Sequence, residues 1–175
     1  MIKRCIMIFP HFKNEYLIDN IRKKYDPLAE HVRPHITLVF PFESDIETNK
    51  LKEHIKVMTS DINPFHITLS GITPSTSIGN YLFLNIKEGN DEIIEIHKRL
   101  YKGILKEAYP EWLKDIDFLP HMTVGCISDL DVFKEAIEDT NNINDIFETT
   151  VEAISVEIID ENEDSIIEIN VPLRG

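Results

Sequence analysis

The chain reads as an α+β fold with mainly antiparallel sheets and a roughly duplicated architecture. Three observations lead there. Strand-like and helix-like apolar periods interleave along all 175 residues, and several strand runs follow one another as hairpin neighbours. The segments Pro34-His35-Ile36-Thr37-Leu38 and Pro120-His121-Met122-Thr123-Val124 repeat one residue pattern 86 positions apart, almost half the chain. No low-complexity linker divides them. At this length one domain, or two intimately packed lobes, is expected, with ample core.

The elements follow in order. Residues 5–9 form a short apolar strand run ended by Pro10. Asn14 is placed to cap a helix that carries Leu17, Ile18, Ile21 and Tyr25 on one side and stops at Asp26-Pro27. The first motif strand then leads to Pro41 and Phe42. Ser44 and Glu47 have the spacing of a capping box for a helix with Ile46, Leu51, Ile55 and Met58 inside. Asn63-Pro64 breaks that pattern, residues 65–71 alternate as a strand, and 73–80, rich in Thr, Ser, Pro and Gly, read as an exposed loop. Residues 81–87 form the next strand. The longest helix opens near Asn90, carries Ile93, Ile96, Leu100, Ile104 and Ala108, and is closed by Pro110. The second motif strand covers 121–127. A helix capped by Ser128 or Asp129 follows, with Leu130, Phe133, Ala136 and Ile137 inside. Two final strands, over about 149–159 and 165–171, flank a turn at Glu161-Asn162-Glu163-Asp164.

The motifs carry the chemistry. Alternate side chains of a strand share a face, so His35 and Thr37 project together while Ile36, Leu38 and Phe40 enter the other side. Proline cannot donate to a ladder and fits the first strand residue, with the histidine just beyond. Brought face to face, the two strands would present two imidazoles and two hydroxyls to one cleft. A neutral imidazole deprotonates water while an imidazolium protonates a departing oxygen, and short hydroxyls suit phosphoryl oxygens. The acidic surroundings are expected to raise both imidazole pKa values.

Two proline-led His-x-Thr-x motifs at this separation resemble those of the two-histidine (2H) phosphoesterase superfamily, which includes bacterial 2′-5′ RNA ligases and RNA cyclic phosphodiesterases. The resemblance covers the whole chain in length and element order. It implies a single 1–175 domain of two pseudo-symmetric lobes, each an antiparallel sheet with helices packed outside, around a central cleft. It further implies a cytoplasmic hydrolase of RNA processing, free of cofactor and metal, that opens a 2′,3′-cyclic phosphodiester or a related cyclic nucleotide phosphate. Ligation of 2′-5′ RNA ends belongs to the same family. His35, His121, Thr37 and Thr123 are then the catalytic set. Candidate substrate contacts are Arg33, Phe42, His66, Tyr81 and Phe83, with Trp112 a further stacking candidate. His66-Ile67-Thr68-Leu69 matches the bare motif but has Phe65 in place of proline, so it reads as structural, its polar face at most lining the cleft. Many family members carry an arginine shortly after the second motif, where this chain has Gly125-Cys126-Ile127. Lys3, Arg4 and Arg33 are the nearest substitutes for it.

Composition narrows the partners. With 31 acidic against 18 basic residues the formal charge is −13, which repels a long phosphate backbone. The expected ligand is a nucleotide or an RNA terminus bearing a cyclic phosphate, held by a monomer that touches no membrane and no long nucleic-acid tract. Cys5 and Cys126 read as reduced core thiols. The apolar run 5–9 is too short for a signal peptide, and no run is long enough to span a bilayer. No Cys-x-x-Cys spacing suggests a metal. A binding module for nucleotides or RNA ends on the same scaffold, without catalysis, is the alternative; the paired His and Thr favour the enzyme.

Overall fold

In the computed structural model, which describes residues 1–174, the chain order is β1 (Ile2–Ile8), α1 (Glu15–Tyr25), β2 (Ile36–Ser44), α2 (Thr48–Met58), β3 (Phe65–Ser75), β4 (Tyr81–Glu88), α3 (Asn90–Leu100), β5 (His121–Cys126), α4 (Leu130–Thr140), β6 (Phe147–Val151), β7 (Ala153–Ile159) and β8 (Ser165–Pro172). All strands join one antiparallel sheet in the order β6-β3-β4-β5-β2-β1-β7-β8. Its two halves repeat a plan. One contains β1-α1-β2 and the other β4-α3-β5. In each, a helix then carries the chain across: α2 leads to β3 beside β4, and the chain beyond α4 reaches β7 beside β1.

The halves meet at β2 and β5, in register through the single pair Ile36 and Met122. The motif strands are therefore lateral neighbours in one sheet. They lie side by side rather than face to face, within the antiparallel α+β fold of two repeated halves that the sequence predicts. Helices cross the same seam, α1 packing on β5 and α3 on β2. Gly125 makes the first contact close: a Cβ there would sit 3.2 Å from Tyr25 Cβ and 3.3 Å from Leu82 Cβ. The apolar positions of both motifs fill the core, with Ile36, Leu38, Met122 and Val124 all at 0% exposure. Fully burying such side chains contributes about 1.5–3 kcal/mol each. Their His and Thr neighbours are half-buried on the opposite face.

Local departures from the sequence expectation have local causes. β2 carries an extra residue at Leu38, since Met7 pairs with Thr37 and Ile6 with Val39. The bulge turns Val39 into the core and swings Phe40 onto the Thr37 side. The long helix stops at Leu100. Gly103 adopts φ +55°, a left-handed conformation, and residues 103–108 continue as a 3-10 turn. β3 runs on to Ser75 because Thr73, Pro74 and Ser75 pair with Phe83, Leu82 and Tyr81, which shortens the expected loop. The expected strand at 149–159 is two strands parted at Glu152, β6 on β3 and β7 between β1 and β8. Ser44 ends β2, and α2 starts at Thr48 with Glu47 at its N-cap and no side-chain cap, so no capping box forms. Asp129 does cap α4, accepting from the Asp131 and Val132 backbone N–H groups. No helix among the described residues is long and apolar enough to cross a membrane.

Arg4 clamps the β8 edge. At 1% exposure it donates to both Glu168 oxygens at 2.7 and 2.8 Å and to the Ile46 carbonyl at 3.0 Å. Arg4→Ala would leave Glu168 without its partner, and a loss of about 3–5 kcal/mol is expected. Lys3→Ala, at an exposed neighbouring position, should change stability little. Urea denaturation of the two variants checks this, and matching midpoints would contradict the clamp.

Candidate active site

Each catalytic candidate is set by the backbone just before it. Arg22, 2% exposed, donates to Asp26 at 2.7 Å, to the Val32 carbonyl at 2.8 Å and to the Leu28 carbonyl at 3.2 Å. The loop after α1 is thereby fixed where it enters Pro34-His35. Proline then biases Arg33, and likewise Leu119 before Pro120, toward extended backbone. Each places a carbonyl against the histidine two residues on. His35 Nδ1 lies 2.8 Å from the Arg33 carbonyl, and His121 Nδ1 lies 2.8 Å from that of Leu119. A carbonyl only accepts, so each Nδ1 carries its proton, and Nε2 remains free to take or give one.

The register of Ile36 with Met122 puts His35 across from Thr123 and Thr37 across from His121, with side chains on one face. Two rings and two hydroxyls form a diagonal square over the seam. Burial pushes the His35 pKa below the ordinary imidazole value; the Arg33 carbonyl opposes this, and the charges of Arg22 and His121 add to the lowering. Burial lowers His121 too, against the Leu119 carbonyl. The net acidity of the chain does not raise them. Desolvation of the rings outweighs distant carboxylates in water.

Tyr81 and Phe83 fall where the sequence placed them. Phe83 stacks on the His121 ring with centroids 3.7 Å apart and planes at 24°, and Tyr81 lies 5.8 Å beyond. They form one wall of a cleft of about 460 Å³ whose floor includes Thr37, His121 and Thr123. Phe40, Trp112 and Phe118 build the other wall, with Trp112 and Phe118 centroids 4.8 and 6.3 Å from Phe40. Phe118 in turn lies flat on buried His97, 3.7 Å away, whose Nδ1–H donates to the Leu38 carbonyl. Phe9, 6.0 Å from the His35 ring, flanks the seam on the β1 side.

Three expected substrate contacts lie elsewhere. Phe42 is 8% exposed in the core, because the shifted pairing of β2 turns it inward opposite Arg4. His66 sits on β3, two strands from β5, facing Glu148 at 3.9 Å in a separate groove. Arg33 is exposed beside Phe9, 2.9 Å from His11 Nδ1 and 3.6 Å from Glu15, and like His35 it is not part of the lining around Phe83 and Trp112. Arg4 is sealed against Glu168. Sequence reasoning missed Phe40, hidden by the bulge. It also missed Phe118 and Asn85, which pairs with His121 and donates to the Gly71 carbonyl at 2.9 Å. Asn85 shares strand parity with Tyr81 and Phe83, a signal the sequence did contain.

A model of the 2′-5′ RNA ligase superfamily matches residues 8–163. The chain belongs to that superfamily. Its two His-x-Thr-x strands place it among the two-histidine phosphoesterases. It is 28% identical over 125 residues to a Bacillus licheniformis protein named "Putative phosphoesterase", covering 71% of this chain and 70% of that one. A Geobacillus protein of the same name is 31% identical over 130 residues, 71% of this chain and 69% of its own. The folds of E. coli LigT in complex with 3′-AMP and of a Thermus thermophilus protein match with TM-scores of 0.65 and 0.64. Their identities are 12% and 15%, and at least 98% of each chain is covered.

Proton NMR of the imidazole C–H resonances checks the electrostatics of this two-histidine phosphoesterase. His35 and His121 are expected to titrate below about 6.5, the ordinary imidazole value. Midpoints at or above that value would show that burial does not control the rings.

Proposed function

We propose that the chain hydrolyses a 2′,3′-cyclic phosphodiester, or a related cyclic nucleotide phosphate, by general acid–base catalysis between His35 and His121 without a metal ion. The observation that carries this reading is the pair of matching Nδ1–H bonds to the Arg33 and Leu119 carbonyls, which leave both Nε2 atoms free on neighbouring strands joined at Ile36 and Met122. A neutral ring takes a proton from water as its oxygen attacks phosphorus. The P–O bond to one ribose oxygen breaks, and the other ring, protonated, delivers its proton to that oxygen. The product is a phosphomonoester, and the two rings have exchanged protonation states. Thr37 and Thr123 supply hydroxyl donors to the non-bridging oxygens, whose charge grows in the transition state. Among the described residues no cluster of three or more His, Cys, Asp or Glu has the arrangement of a metal site. The complexes of E. coli LigT with ATP and with 3′-AMP support a nucleotide on this fold. The free Cys5 and Cys126 fit a reducing, cytoplasmic setting.

Turnover of adenosine 2′,3′-cyclic phosphate tests the assignment. His35→Ala and His121→Ala should each lower kcat by about 100-fold or more. His66→Ala, outside the cleft, should leave it unchanged, and EDTA should have no effect. Equal losses from His66→Ala and His121→Ala would overturn the assignment, as would loss in EDTA reversed by a divalent ion. Binding without turnover would favour the non-catalytic module.

A further inference from the structure

The cleft over Thr37, His121 and Thr123 carries little charge. Its lining residues contain no lysine or arginine, and its one ionised side chain is Asp117. The arginines near in sequence to the motifs are committed elsewhere, Arg4 to Glu168, Arg22 to Asp26, and Arg33 to the His11 and Glu15 rim. Arg99 is held by Asp61 and Glu95. The remaining wall is apolar and aromatic, and about 460 Å³ accommodates one nucleoside-sized group.

We propose that this cleft selects substrates bearing a single phosphodiester charge and one aromatic or apolar group, and discriminates against any second phosphate. The proposal rests on the acid–base reading above and adds the substrate class. Two neutral hydroxyls and one imidazolium balance the single charge of a diester. A further phosphate brings two more charges toward the exposed Asp117 with no lysine or arginine in the lining to meet them. The same logic aids turnover. Hydrolysis converts a monoanionic diester into a monoester that is dianionic above its second pKa of about 6, and the cleft holds that product less well than the substrate.

The test compares adenosine 2′,3′-cyclic phosphate with the same compound carrying a 5′-phosphate. The expected kcat/KM is about tenfold lower for the 5′-phosphorylated compound, the scale of one unfavourable charge contact at a partly exposed site. Asp117→Lys should bring the two within about twofold by reversing that contact. Equal or better turnover of the 5′-phosphorylated compound by the unaltered protein would overturn the proposal. So would a preference that Asp117→Lys leaves intact. Trp112, the sole tryptophan and a cleft residue, reports occupancy separately from chemistry. Its fluorescence should respond at lower concentration to the cyclic phosphate than to its 5′-phosphorylated form, and the reverse order would overturn the charge argument. Absence of turnover with the expected fluorescence order would count against the acid–base reading while upholding selectivity.

Discussion

The pairing of Ile36 with Met122 is the constraint on which the rest depends. It is the only registered pair between β2 and β5 among the described residues, yet it joins both halves of the sheet. Because strands alternate, two residues buried at the seam force their neighbours out on the other face. His35, Thr37, His121 and Thr123 are those neighbours. Helices exchanged across the seam, α1 onto β5 and α3 onto β2, keep the strands in register. Gly125 permits the first of these contacts, and His97, on α3, bonds to the Leu38 carbonyl of β2.

Burial then does two things at the site. It leaves a backbone carbonyl as the partner of each Nδ1–H, which fixes the tautomer. It also favours the neutral rings by desolvation, so a bound anion is what would restore a proton to one of them. A site that charges itself on binding its substrate needs few permanent cations. The cleft lining, with Asp117 as its one ionised side chain, has none.

Much of this was legible in the sequence. The apolar positions of the motifs, the antiparallel neighbours, and the wall formed by Tyr81 and Phe83 follow from a period of two. Proline explained more than the strand start, since by extending Arg33 and Leu119 it also places the carbonyls that hold the rings. What escaped reading depended on pairing partners. One extra residue at Leu38 moved Phe40 to the cleft, and the shifted pairing left Phe42 in the core, and no periodicity within β2 reveals that. His66 has the right local pattern and the wrong strand: β4 stands between it and β5. The break of α3 near Gly103 set free the 101–120 segment that supplies Trp112 and Phe118.

The central claim is that two imidazoles over one seam divide the work of base and acid. The dependence of kcat/KM on pH measures that division most directly. A bell is expected, its limbs belonging to the pair rather than to either ring. The acid limb should have its midpoint below about 6.5, because desolvation lowers both rings in the free protein. A rate that stays flat from about pH 5 to 9, across the whole imidazole range, would contradict it.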